Sequence, residues 1–184
     1  MGAVTALPQS RPLTRADLEG LPDDGHRYEL VDGSLLVTPA PSWLHQRVVT
    51  RLAHLLSSAV MPPFEVFVAP LDVVLADDTV LQPDVLVVRR ADLGTHDVEA
   101  APVLAVEVLS PSTRRIDETV KRARYEAAGC PAFWAVDPDP PSLTAWTLEG
   151  GRYGEPVVVQ AQDTWTATAP FTVTVRPAEL VADG

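Results

Sequence analysis

The sequence predicts an α/β fold in which a central mixed β-sheet is flanked by helices and extended by extra β-hairpins. Three observations point to it. Two runs, Val80 to Val88 and Val103 to Leu109, are apolar on both faces, as befits strands at the centre of a covered sheet. Two other segments, about 43–60 and 115–128, space their apolar residues at three and four, the helical period. The elements follow the order helix, strands, helix, strand, strands, which builds a mixed sheet with helices packed against it. A chain of 184 residues that is 46% hydrophobic has enough apolar surface for one core. We expect a flexible leader over residues 1–12 and a single domain over residues 13–184.

Each element has a local reason. Thr14 caps a short helix through Leu18 that Gly20 and Pro22 end. Tyr28 to Val31 and Leu35 to Val37 form a hairpin turned by Asp32-Gly33, a dipeptide suited to two consecutive residues at positive φ. Ser42 caps the first long helix, whose stripe is Leu44, Val48, Leu52, Leu55 and Leu56, and Pro62-Pro63 stop it. Strands are expected at Phe64–Val68, Leu71–Leu75 and Val80–Val88, then a helical turn near Ala91-Asp92-Leu93 and a strand at Val103–Leu109. The turn Ser110-Pro111-Ser112-Thr113 delivers a helix from about Arg115 to Ala128. Its expected buried face is Ile116, Val120, Ala123 and Ala127, and Gly129 ends it. Ala132–Val136, a hairpin of Leu143–Leu148 and Arg152–Val159 around Gly150-Gly151, a strand Phe171–Val175 and a helical end at Ala178–Val181 complete the chain.

Composition narrows the functional classes. No apolar run approaches the roughly 18 residues that span a bilayer, and the N-terminus lacks a secretory pattern, so a cytoplasmic protein without membrane contact is expected. The single cysteine, Cys130, excludes an intrachain disulfide and a cysteine-rich zinc site, and reads as a structural thiol. A net charge of −11 argues against a broad, sequence-blind grip on nucleic acid, which needs a basic surface.

The informative anomaly is acidic. Asp84 and Glu107 each interrupt an apolar, strand-like run, where an unpaired carboxylate costs several kcal/mol. Each therefore needs a partner: a metal ion, a lysine or an arginine. A cation shared by both is the economical choice. Carboxylates on neighbouring strands are hard oxygen ligands on a rigid frame, suited to Mg²⁺ or Mn²⁺. Such an ion polarises a phosphoryl oxygen and helps make hydroxide from water. Lys121, the only lysine beside thirteen arginines, follows on the next helix and could orient or deprotonate the attacking water.

The blocks Tyr28-Glu29-Leu30-Val31-Asp32-Gly33, His45-Gln46, Phe67 to Leu75, Gln82-Pro83-Asp84, Val106 to Thr113, and Asp117 with Lys121, Tyr125 and Gly129 resemble the Uma-two family. That family of restriction endonuclease-like proteins is a branch of the PD-(D/E)xK nuclease superfamily. The blocks run in order over most of the chain. The resemblance implies a restriction-endonuclease-like core and a Mg²⁺- or Mn²⁺-dependent endonuclease acting on DNA. Its catalytic residues would be Glu29, Asp84, Glu107 and Lys121, and its metal ligands Asp84 and Glu107. The superfamily's usual lysine would stand two residues after the second acid, where this chain has Leu109; Lys121 takes that part from the helix. Ser34 and Ala132 depart from the family pattern at its periphery. Double-strand cleavage by a one-site subunit would suit a homodimer.

Plainer readings stand beside these. Asp84 could pair with Arg89 or Arg90, and Glu107 with amides of the Ser110–Thr113 turn. Lys121 and Asp117 could form an exposed i,i+4 pair, and Glu29 could be solvated beside its turn. His45 reads as a surface residue or a substrate contact, Asp72 as a buried acid satisfied by an arginine, and Tyr125 as a residue that positions Lys121. Trp134, Trp146 and Trp165 read as packing residues. The main rival function is a non-catalytic binding or assembly module that keeps the nuclease fold; a hydrolase of another phosphate ester is the second.

Overall fold

In the computed structural model, residues 5–7, 11–22 and 24–183 are described. The fold is mixed α/β. The central sheet takes β4 (Phe64–Val68), β7 (Val85–Arg89), β9 (Leu104–Val108), β10 (Ala132–Pro138), β11 (Pro141–Glu149) and β12 (Arg152–Tyr153) in the order β12-β11-β10-β9-β7-β4, and β13 (Val157–Gln160) also pairs with β11. Only β9 and β10 run parallel, joined by a helical crossover; the other pairs are antiparallel. The second sheet joins β1 (Thr5–Leu7), β2 (Arg27–Val31), β3 (Ser34–Thr38), β5 (Asp72–Ala76), β6 (Thr79–Leu81) and β8 (Asp97–Val98) in the order β1-β3-β2-β6-β5-β8. A small ribbon of β14 (Trp165–Ala167) and β15 (Val173–Val175) stands apart. Within the expected leader, Thr5–Leu7 pairs with β3, while residues 1–4 and 8–10 lie outside the described residues.

The strand pleat sends alternate residues to two cores. Val85, Val87, Leu104, Val106, Val108, Trp134 and Val136 meet one side, where helix α2 (Trp43–Ala59) lays Val48, Val49, Leu52 and Leu56 against them. Ser42 caps α2 as expected, its hydroxyl accepting the His45 N–H at 3.2 Å. Burying each such aliphatic side chain contributes about 1.5–3 kcal/mol. Ala105, Phe133 and Ala135 face the other side and pack with Val31, Leu36, Leu81 and Tyr125. The odd residues of β9 point to this second side, so Glu107 is aimed between the two sheets.

Two turns fix the frame around the site. In the β2–β3 hairpin, Asp32 (φ 51°) and Gly33 (φ 72°) adopt the left-handed pair that a two-residue hairpin loop requires. Short helix α1 (Arg15–Glu19) follows Thr14, whose N–H donates to the Asp17 carboxylate at 2.9 Å. The remaining helices are α3 (Arg122–Ala127), preceded without a break by a π-helical stretch Ile116–Lys121, and α4 (Pro177–Val181).

Two expectations are corrected. Val80 to Val88 is not one strand: the chain leaves the second sheet after Leu81 and enters the central sheet at Val85. Pro83 cannot donate to a ladder, so residues 82–84 become the crossover between the sheets. Asp84 thus stands at the junction rather than within a strand. The helix after Thr113 also turns another face inward. Val120, Ala123 and Ala127 are exposed, and Asp117, Lys121 and Tyr125 are buried. The π-helical turn shifts the helix's angular phase, and positions 117, 121 and 125 line up toward Glu107.

Candidate active site

The crossover at residues 82–84 creates the site. Interrupting the ladder frees the Gln82 N–H, which donates to Glu29 Oε1 at 2.8 Å. One residue beyond Pro83, Asp84 turns its side chain along β9, and the Val108 N–H donates to Asp84 Oδ2 at 2.7 Å. Glu29, on β2 of the second sheet, and Glu107, on β9 of the central sheet, face each other across the gap. Both are 1% exposed.

Lys121 fills the space between them. Its Nζ lies 2.9 Å from Glu29 Oε1, 3.2 Å from Glu107 Oε1 and 3.4 Å from Asp117 Oδ1. Lys121 stands at the centre of its helix's buried face, which is not the expected apolar face of Ile116, Val120, Ala123 and Ala127. The Asp117–Lys121 pair is likewise buried, not an exposed surface pair, and Glu29 is buried rather than solvated.

The second cation at the site is Arg27, which the sequence did not mark. Its Nη1 donates to Asp84 Oδ1 at 2.8 Å, and Nη2 donates to the Gln82 carbonyl. Nη2 also lies 3.5 Å from Glu29 Oε1 and 3.9 Å from Glu107 Oε2. Asp84 therefore pairs with Arg27, not with Arg89 or Arg90, and Glu107 bonds Lys121 rather than amides of the following turn. His45 is not a free surface residue: its Nε2 stands 3.4 Å from Asp84 Oδ1. Asp72 accepts from Gln82 Nε2 at 2.7 Å, an amide where an arginine was expected.

The electrostatics divide the acids. Burial works against ionised Asp84, but the His45 hydrogen bond and the Arg27 charge outweigh it and hold the carboxyl well below its ordinary range. Glu29 is lowered in the same way, with Lys121 and Arg27 overcoming its burial. Glu107 goes the other way. Burial, reinforced by Asp117, Asp84 and Glu29, raises it well above the ordinary carboxylate range despite Lys121. Asp117 is also raised, chiefly by burial. Burial disfavours the Lys121 ammonium, yet Glu107, Glu29 and Asp117 overcompensate and raise it above the ordinary lysine range. These neighbours favour the charged ammonium of Lys121. The Tyr125 hydroxyl is buried among these groups without a hydrogen-bond partner among the described residues.

Arg27, Asp84, Glu107, Asp117 and Lys121 form the floor of a cleft of about 1080 Å³, walled by the start of α2, residues 68–70 and the Ser110–Arg114 turn; Glu29, buried against Lys121, does not line it. The oxygen donors suit a hard divalent cation. Asp84 Oδ2 is tied to Val108 and Glu107 Oε1 to Lys121, leaving one oxygen on each acid turned toward Arg27. Among the described residues, no group of three or more His, Cys, Asp or Glu side chains is arranged to hold a metal. Two carboxylate oxygens plus water fit Mg²⁺ or Mn²⁺, which keep several waters when bound by one or two acids. They do not make a dehydrated, all-protein cage.

Cys130 lies outside this cluster. It is buried, its thiol pushed up to about 12 chiefly by that burial, and it donates to the Ala132 carbonyl at 3.1 Å. Trp134 and Trp146 pack in the two cores. No helix among the described residues is long and apolar enough to cross a membrane.

Comparison with known proteins shows the fold and the family. A crystal structure described as a putative nuclease belonging to DUF820, from Anabaena variabilis, superposes with a TM-score of 0.71 at 20% identity. The match covers 86% of this chain and 90% of that one, and shows a shared fold. No curated protein matches the chain. The model of the Uma2 family, described as "Putative restriction endonuclease", matches residues 15–178, and the chain belongs to that family.

Proposed function

We propose that this protein is a Mg²⁺- or Mn²⁺-dependent endonuclease that hydrolyses phosphodiester bonds of nucleic acid, with DNA as its substrate. The reading takes the two sheets and crossing helices as a restriction-endonuclease-like core. The observation that carries it is the convergence of Asp84, Glu107 and Lys121, from the inter-sheet crossover, a strand and a helix, on the floor of one cleft, with Glu29 buried against Lys121. Burying this many charges costs stability even when they are paired, and clusters of perturbed ionisable groups in a cleft mark candidate functional sites.

Asp84 and Glu107 would hold the cation, which supplies a polarised phosphoryl oxygen and a more acidic water when bound. Lys121 does not take a proton. Its ammonium is a positioned positive charge that offsets negative charge growing on the phosphoryl oxygens. Glu29 and Asp117 keep Lys121 in place, and Tyr125 packs beneath it. His45 steadies Asp84. A double-strand cut would require a two-fold pair of subunits, and a homodimer is the assembly this reading favours.

One observation favours the rival binding module: the acids are already neutralised by Arg27 and Lys121, as a purely structural cluster would be. Cleavage of supercoiled plasmid separates the two. The proposal expects Mg²⁺- or Mn²⁺-dependent nicking by the parent and loss of about two to four orders of magnitude in Lys121→Met and Glu107→Gln. Equal, metal-independent rates in all three proteins would reject it.

A further inference from the structure

The Arg27 guanidinium lies beside both Asp84 and Glu107, the two acids that would hold the cation. Each acid has one oxygen committed elsewhere: Asp84 Oδ2 to the Val108 N–H at 2.7 Å and Glu107 Oε1 to Lys121 Nζ at 3.2 Å. The two remaining oxygens, Asp84 Oδ1 and Glu107 Oε2, lie 2.8 and 3.9 Å from the Arg27 guanidinium. A divalent ion would contact those same two atoms. Guanidinium and metal cannot share them, because two positive charges that close repel.

We propose that Arg27 is a built-in stand-in for the cation, filling its position in the metal-free protein and leaving by exchange when the ion binds. The inference rests on the metal-dependent reading above. Arg27 is equipped to move where Lys121 is not. Its side chain is 21% exposed at the cleft, against 4% for Lys121. It sits at the first residue of β2, beside residues 25 and 26, which also line the cleft. Its hold is incomplete as well: Nε is buried with no hydrogen-bond partner among the described residues, so only the Nη ends anchor it. The exchange keeps the site near charge balance throughout, so the paired acids never face one another bare. Arg27 thereby sets the apparent metal affinity, because binding must first displace a charge-assisted ion pair.

Manganese binding, read from loss of the free-ion paramagnetic resonance signal, tests this on the parent and on Arg27→Met. The expected result is Mn²⁺ binding at least about tenfold tighter in Arg27→Met. Unchanged or weaker binding by Arg27→Met, with the parent binding normally, overturns the exchange and leaves the metal-dependent reading intact. Absence of binding to both proteins overturns both. A second measurement needs no substitution: phenylglyoxal labelling of the parent, mapped by peptide mass, with the 86%-exposed Arg152 as internal reference. Arg27 should be labelled several-fold faster with Mn²⁺ than without it; a rate that is unchanged or slower with Mn²⁺ overturns the exchange.

Discussion

Replacing Lys121 by methionine keeps the length and bulk of the side chain and removes only its charge. In the parent, that charge lies within 3.4 Å of three carboxylates, and the lysine is 3% exposed. Removing one partner from a buried ion cluster costs about 3–5 kcal/mol, because the remaining charges are left uncompensated. At about 2–4 °C per kcal/mol for a domain of this size, Tm should fall by roughly 6–20 °C. The pH dependence gives the sharper test. Lys121 is raised, so its contribution is fully present below the ordinary lysine range and is lost only as pH rises through its raised value. Glu29 is lowered, so its contribution is present above the ordinary carboxylate range and is lost as pH falls. Without Lys121, Glu29, Glu107 and Asp117 bind protons more tightly when folded than when unfolded, and stability then declines as pH rises through the carboxylate range. Urea unfolding followed by circular dichroism should show a parent–variant gap that is wider at about pH 8 than at about pH 5. A gap below about 1 kcal/mol, or one independent of pH, would refute the buried cluster and return Lys121 to an ordinary solvated pair.

Four further outcomes are expected. Glu107→Gln should change urea stability at mildly acidic pH by less than about 1 kcal/mol, because burial already favours neutral Glu107. Asp84→Asn should cost about 1.5–3 kcal/mol, since ionised Asp84 accepts from Val108 and Arg27. Cys130→Ser should leave any nuclease activity intact and lose less than about 2 kcal/mol, and the parent thiol should react with Ellman's reagent only after unfolding. Gly33→Ala should cost at least about 1–3 kcal/mol in the same urea assay. Its φ of 72° is unfavourable to a side chain, and the added Cβ would lie 2.5 Å from the Pro12 Cβ.

Much of the frame was legible because its signals are local. Asp32-Gly33 specifies its hairpin, Ser42 caps its helix, and apolar periodicity places α2. Acids within apolar runs also drew attention to Asp84 and Glu107, which the fold does bring close together. What was not legible depends on partners distant in sequence. Arg27 meets Asp84 from 57 residues away, and a strand-initial arginine looks like any surface residue. Asp117 and Lys121 show the spacing of a solvent-exposed pair; they are buried because Lys121 also meets Glu29 and Glu107, 92 and 14 residues away. For the same reason, hydrophobic period misassigned the inward face of that helix: its buried stripe is polar. Val80 to Val88 misled differently. Both halves are buried strands, and only Pro83 hinted that they belong to different sheets.

The central claim is a divalent cation held between Asp84 and Glu107, and anomalous diffraction from a crystal soaked in Mn²⁺ tests it most directly. The expected result is one strong anomalous peak within about 2.0–2.4 Å of an oxygen of each residue, completed by water. A crystal saturated with Mn²⁺ that shows no peak there, or peaks only at other carboxylates, would contradict the account.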